Sequence, residues 1–222
     1  MFNTNSQQLH GIPGCGKTIM CSTIIEHVEK LCQSKCGSRL AYYYFDFSDA
    51  ANQKLSVLLR SLLFQLCMKM DLAPDALSVL YDECDRGRSN PSEKSLAESL
   101  FGILNSDKQT YIIIDGLDEC PYDPNNSERS RLNNLVLGEI GQHPGNYNFL
   151  FTSRKEYDID EAMKAVSKRM GLDIIEIQTE DVDSDVRLHV QRFVSGQKRI
   201  SKWTAPIREE IEDELVKGSQ GM

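Results

Sequence analysis

The feature that most restricts the fold of this chain is the octapeptide Gly11-Ile12-Pro13-Gly14-Cys15-Gly16-Lys17-Thr18. It fits the pattern G-x-x-x-x-G-K-[ST] at every position. The glycines of such a loop let successive N–H groups turn inward toward phosphate oxygens. The helix that must follow, beginning near Lys17, adds the positive end of its dipole. In this pattern the lysine ammonium reaches the β- and γ-phosphates and the threonine hydroxyl ligates magnesium. The expected nucleotide-binding set is Gly11, Ile12, Pro13, Gly14, Cys15, Gly16, Lys17, Thr18 and Ile19, with magnesium and ATP or GTP as the ligand. Cys15 reads as a small residue that fits the loop. A thiol activated by the helix terminus and Lys17 would instead show fast alkylation that nucleotide blocks.

The rest of the chain alternates short apolar runs with amphipathic spacing. Ile19, Met20, Ile24, Ile25 and Val28 predict a helix over residues 16–31. An aromatic-rich strand is expected over 40–47 and a helix with a broad apolar face over 53–70. Further helices are expected over 74–85, with proline near the first turn, and over 92–105, where Ser92 and Ser95 are candidate caps. Residues 111–115 form a continuous β-branched run, as a strand buried on both faces should. A polar loop over 120–130 then leads to a helix over 131–141, a strand over 147–152, a helix over 159–170 and a strand over 172–177. Two amphipathic helices parted near Gly196 occupy 182–217. Strands alternating with helices predict an α/β fold, a parallel sheet flanked by helices. The expected division is a core over 1–178 and a partial C-terminal helical lobe over 179–222.

Two further motifs carry chemistry. Ile112-Ile113-Ile114-Asp115-Gly116-Leu117-Asp118-Glu119 puts a carboxylate at the end of a buried strand, where open α/β sheets bind ligands. Asp115 is the expected second magnesium residue beside Thr18, and Asp118 or Glu119 could orient or deprotonate an attacking water. Phe149-Leu150-Phe151-Thr152-Ser153-Arg154 ends a strand in a polar cluster at the same edge. Arg154 could touch a γ-phosphate there; the alternative is a surface arginine paired with a neighbouring acid.

Charge narrows the partners. With 33 acidic and 25 basic residues the net charge is -8, which gives no bulk pull toward nucleic acid or anionic lipid. Neither nucleic acid nor membrane is an expected partner. Residues 1–8 lack the basic and apolar regions of a secretory signal. Seven scattered cysteines suit reduced thiols in a cytoplasmic protein better than a disulfide framework. Cys32 and Cys36, with His27 nearby, lack a second ligand pair and read as helix-end residues, not a zinc site.

Together these motifs resemble the NACHT class of signal-transduction (STAND) NTPases, in particular the nephrocystin-type N-terminal module common in fungal receptor-like proteins. The resemblance also rests on Tyr42-Tyr43-Tyr44-Phe45-Asp46-Phe47, Leu59-Arg60-Ser61-Leu62-Leu63-Phe64-Gln65-Leu66 and Asp115-Gly116-Leu117-Asp118-Glu119-Cys120, and it spans about residues 9–195. It implies a P-loop NTPase fold of the ASCE type and a slow ATPase or GTPase that works as a switch, self-associating through the full-length protein. It also implies that Lys17 and Thr18 hold phosphate and magnesium, Asp115 holds magnesium, Asp118 serves hydrolysis and Arg154 senses the nucleotide. Two departures stand out. Ser6-Gln7-Gln8-Leu9-His10 is too polar for the central strand expected before the loop. The chain also stops within the helical lobe, so a fragment or truncated product is expected. A small-molecule or nucleotide kinase, and a non-catalytic interaction module weakened by a defective first strand, are the rival readings.

Overall fold

The computed structural model describes residues 6–35, 37–69, 75–123, 127–138, 145–177, 179–196 and 203–219. In chain order the elements are β1 (Gln7–His10), α1 (Lys17–Ser34), β2 (Arg39–Tyr44), α2 (Leu55–Cys67), α3 (Asp75–Glu83), α4 (Glu93–Leu104) and β3 (Thr110–Asp115). They continue as α5 (Glu128–Leu132), β4 (Tyr147–Ser153), α6 (Tyr157–Met170), β5 (Asp173–Glu176), α7 (Thr179–Gly196) and α8 (Ala205–Ser219). The strands form one five-stranded sheet in the order β2-β3-β4-β1-β5. β2 with β3, β3 with β4, and β4 with β1 all pair in parallel. β4 therefore lies between the strand that enters the phosphate loop and the strand that ends in Asp115. This is the order of the ASCE-type P-loop fold.

Alternation along the strands divides the apolar residues between two faces. Ile112 and Ile114 of β3, Tyr43 of β2, and Phe149 and Phe151 of β4 join the larger cluster, with α2, α4 and α6. Leu40 and Ile113 face the other way, into a smaller cluster with Cys21, Ile25 and Val28 of α1. On α2 the buried leucines are Leu55, Leu58, Leu59, Leu62, Leu63 and Leu66, a stripe at helical spacing. Each such side chain contributes about 1.5–3 kcal/mol on burial. α2 also protects the edge of the sheet. Gln65 Nε2 donates to the Tyr42 carbonyl at 2.8 Å, and its Oε1 accepts from Tyr42 N at 3.1 Å. Lys69 Nζ donates to the Leu40 carbonyl at 2.9 Å. Three backbone groups on the free edge of the outer strand β2 are thus covered by side chains, which blunts edge-to-edge pairing.

The first strand forms despite the polarity that makes Ser6-Gln7-Gln8-Leu9-His10 an unexpected central strand. β1 forms, and Ser6, Gln8, Leu9 and His10 are all buried. Polar partners in β4 make this tolerable. Gln8 Nε2 donates to Ser153 Oγ at 3.2 Å, and Ser6 Oγ accepts from Phe149 N at 3.2 Å. The polar stretch of residues 120–130 is also shorter than expected. α5 begins within it, capped by Ser127, whose Oγ accepts from Ser130 N at 3.0 Å. A π-helical turn, Asn133–Leu137, follows; the end of the helix expected over 131–141 lies outside the described residues. Ser92, not Ser95, caps α4. Pro74, at the start of the helix expected over 74–85, lies outside them too.

The chain falls into two compact units, one of Met1–His10 with Lys17–Ile175 and the other of Gly11–Gly16 with Glu176–Met222. In the second, α7 and α8 pack on each other, bury Val194 and Val216, and join through Arg187 and Asp213 at 2.8 Å. Among the described residues no helix is long and apolar enough to cross a membrane.

Candidate functional site

The acidic end of β3 is the hub of the first unit. Asp115 is buried, and each of its carboxylate oxygens accepts a hydroxyl. Thr18 Oγ1, in the first turn of α1, donates to Oδ2 at 2.8 Å. Thr152 Oγ1, near the end of β4, donates to Oδ1 at 2.5 Å. The same Thr152 oxygen accepts from Gly116 N at 3.0 Å. One threonine therefore fixes both the carboxylate and the peptide that follows it. Thr152 belongs to the motif that ends in Arg154, and the sequence signal for its role is a hydroxyl one residue from the carboxyl end of a neighbouring parallel strand. Cys21, one turn along α1 from Thr18, is fully buried. Burial, then the charge of Asp115 and a hydrogen bond to it, push its thiol up to about 12.

Gly116 turns the chain with φ 74°, a left-handed conformation open to glycine. The 3-10 turn Leu117–Glu119 follows, with Leu117 buried as its anchor. Its two acids have different partners. Asp118 Oδ1 accepts from Arg154 N at 2.8 Å and its Oδ2 lies 3.1 Å from Arg154 Nε. Arg154 is half exposed in this pair, so here it meets a neighbouring acid, the alternative its sequence position left open. Glu119 reaches the other way. Its Oε2 accepts from Phe47 N, just beyond β2, at 3.0 Å. Burial raises the Glu119 pKa above the ordinary carboxylate range; the Phe47 N–H works against this, and the charges of Asp118, Asp115 and Asp46 reinforce it.

In the second unit the loop Gly11–Gly16 takes positive φ at Gly14 (76°) and Gly16 (85°). Cys15 N donates to the Ile12 carbonyl at 3.4 Å, a tight reversal. A Cβ on Gly11 would lie 2.8 Å from Cys15 Sγ and 3.1 Å from Ile177 Cβ, so a larger residue there would have to displace the Cys15 side chain and crowd Ile177. Pro13 and Cys15 sit between these glycines, and Lys17 opens α1. Ile19, in the same first turn, is largely exposed, at 74%.

The donor set of Thr18 and Asp115 is oxygen alone. That suits magnesium, a hard cation that takes one or two protein oxygens and keeps water or phosphate for the rest. Cys36, of the Cys32–Cys36 pair, lies outside the described residues. Among those described, no group of three or more His, Cys, Asp or Glu could hold a metal ion.

A parallel sheet in this order, with a G-x-x-x-x-G-K-T loop between β1 and α1 and a threonine–aspartate pair at the strand ends, defines a P-loop NTPase module. The family described as Nephrocystin 3, N-terminal matches residues 3–154, and the chain belongs to it. Vegetative incompatibility protein HET-E-1 of Podospora anserina is 23% identical over 218 residues, which is 96% of this chain and 15% of that protein. The chain thus spans a small part of that relative's length. Among solved structures, the ORC2 protein of Aeropyrum pernix is similar in two forms. Its ADPNP-ADP complexes align with a TM-score of 0.51 at 12% identity, over 94% of this chain and 49% of that one. The ADP form aligns with a TM-score of 0.50 at 14% identity, over 96% and 51%. At such identities the likeness is one of fold.

Proposed function

We propose that this chain is a nucleotide-dependent switch that binds ATP or GTP with magnesium, hydrolyses it slowly, and signals by self-association within a longer protein. The observation that carries the reading is the Thr18–Asp115–Thr152 hydrogen-bond chain, which gathers a hydroxyl and a carboxylate at the start of the helix that follows the phosphate loop. In this reading the N–H groups of residues 11–18 and the Lys17 ammonium hold the phosphates. Thr18 and Asp115 hold magnesium, which when bound neutralises phosphate charge. Thr152 keeps the Asp115 carboxylate turned toward Thr18. Glu119 accepts the proton of the attacking water: burial makes it a stronger base than an ordinary carboxylate, and Asp118 holds Arg154 until nucleotide binds. Arg154, released from that pair, answers to the γ-phosphate.

The residues of 1–178 form the catalytic part in this proposal and those of 179–222 a helical lobe. The relation to HET-E-1 and the family match support a module of a larger protein; they leave the output of that protein to experiment. The formed first strand supports a binding-competent module over a defective one.

The test is to analyse the purified chain for bound nucleotide and to measure single-turnover hydrolysis. Bound diphosphate that disappears in Lys17→Ala supports the switch. Loss of turnover with retained binding in Glu119→Gln assigns the base; the same outcome in Asp118→Asn alone moves that role to Asp118. A wild-type chain that never binds nucleotide contradicts the proposal, and fast phosphoryl transfer to a small acceptor replaces it with a kinase.

A further inference from the structure

Arg129 is buried, although the sequence presents its surroundings as a polar loop. Its guanidinium has four partners. Nη2 donates to the main-chain carbonyl of Asp118 at 2.5 Å, and Nε donates to that of Cys120 at 2.8 Å. Nη1 lies 3.3 Å from Asp158 Oδ1, in the first turn of α6. The guanidinium carbon stands 5.6 Å from the centroid of the Tyr122 ring. A planar fork with five N–H donors can serve two carbonyls and a carboxylate at once; an ammonium is a point donor on a flexible stem. The other Asp158 oxygen is buried without a hydrogen-bond partner among the described residues, so this carboxylate depends on Arg129 for its pairing.

The two carbonyls bracket Glu119. Arg129 therefore grips the backbone of the acidic turn from one side, while the carboxylates of that turn meet Arg154 and Phe47 N. The helix that carries Arg129 is itself pinned. Glu128 Oε2 accepts from Leu55 N, at the start of α2, at 2.9 Å. Arg131 Nε lies 3.1 Å from Glu93, at the start of α4, and Arg131 also pairs with Glu128. α5 is thus tied to three helices, to α2 through Glu128, to α4 through Arg131 and to α6 through Arg129.

We infer that Arg129 is a positioning residue for hydrolysis, holding the Asp118–Cys120 backbone against α6 so that the two acids face the bound nucleotide at a fixed distance. The inference rests on the proposed hydrolysis at Asp118 or Glu119. Losing the fork leaves Lys17, Thr18 and Asp115 untouched, so the loss falls on turnover and spares binding. A misplacement of about an ångström is enough to slow a reaction roughly 100-fold.

The experiment uses the full chain and reads two quantities, the Kd for magnesium-ATP and the single-turnover hydrolysis rate. Arg129→Lys is expected to bind within about threefold of wild type and to hydrolyse roughly 10- to 100-fold more slowly. Asp158→Asn should move the rate the same way by less. Adding methylguanidinium to Arg129→Ala should restore part of the rate at unchanged Kd, a response that a general packing defect would not give. Wild-type rates in Arg129→Lys and Arg129→Ala overturn the inference and leave the proposed function standing. Equal losses in affinity and rate, without rescue, also overturn it in favour of a purely structural role. Should the Arg129 variants fail to fold, a wild-type rate in Asp158→Asn overturns it. A wild-type chain that binds no nucleotide overturns both.

Discussion

β3 and β1 both lie inside the same sheet, each with a strand on either side, yet they are built from opposite materials. β3 reads Thr-Tyr-Ile-Ile-Ile-Asp and delivers its isoleucines to both apolar clusters. β1 reads Gln-Gln-Leu-His, and its Leu9 is buried but belongs to neither cluster. A central strand can therefore be held by apolar packing or by side-chain hydrogen bonds to its neighbour. The second way is less complete. Gln8 Oε1 and His10 Nδ1 are buried with no hydrogen-bond partner among the described residues, and such groups cost free energy. The strand that enters the phosphate loop is thus the less firmly packed of the two that frame the site.

The largest expected effect lies in β3. Ile112→Ala or Ile114→Ala should destabilise the fold by about 3–5 kcal/mol in denaturant titration, while Leu9→Ala should cost about 2 kcal/mol. Equal costs would break the contrast, because β1 would then be packed like β3. Next in size is the polar pair. Ser153→Ala leaves Gln8 Nε2 without its acceptor and should cost about 1–2 kcal/mol. The double variant Gln8→Met with Ser153→Ala should lie closer to wild type than the sum of the singles. Strict additivity would mean that this bond does not hold the strand.

Smaller effects should appear beyond the strand ends. Because the folded pKa of Glu119 is raised, its contribution is fully present below the ordinary glutamate pKa and is lost as pH rises through the raised value. Glu119→Gln should therefore raise Tm at neutral pH, with the gain vanishing in acid. A gain that grows in acid would contradict the sign. The mildest test is alkylation of the native chain. Cys21 and Cys120, buried with thiols pushed up to about 12, should resist iodoacetamide while the partly exposed Cys15 reacts. Labelling of all three at one rate would mean that the core opens readily.

Much of this was legible in the sequence, for physical reasons. The loop Gly11–Thr18 announces itself because phosphate binding needs glycines and a lysine at fixed spacing. Asp115 was legible because an aspartate that ends an isoleucine run must emerge at the carboxyl edge of the sheet. β1 misled because polarity was read without its partner; Ser153, far away in sequence, is what makes Gln8 acceptable in the interior. Arg129 was hidden for the same reason. Its two carbonyl partners carry no side-chain signature, and α5 is too short to show a helical period. Asp118 and Arg154 were each singled out, but their mutual pairing became visible only once β4 was placed beside β3.

The account stands on the claim that β1 and β3 converge on one magnesium-nucleotide site. Calorimetric titration of ATP into the full chain, with and without magnesium, tests it most directly when run on wild type, Lys17→Ala and Asp115→Asn. The account predicts that wild type binds and is strengthened by magnesium, that Lys17→Ala loses binding, and that Asp115→Asn loses the magnesium effect. Binding that is indifferent to magnesium in wild type and unchanged in both variants would contradict it.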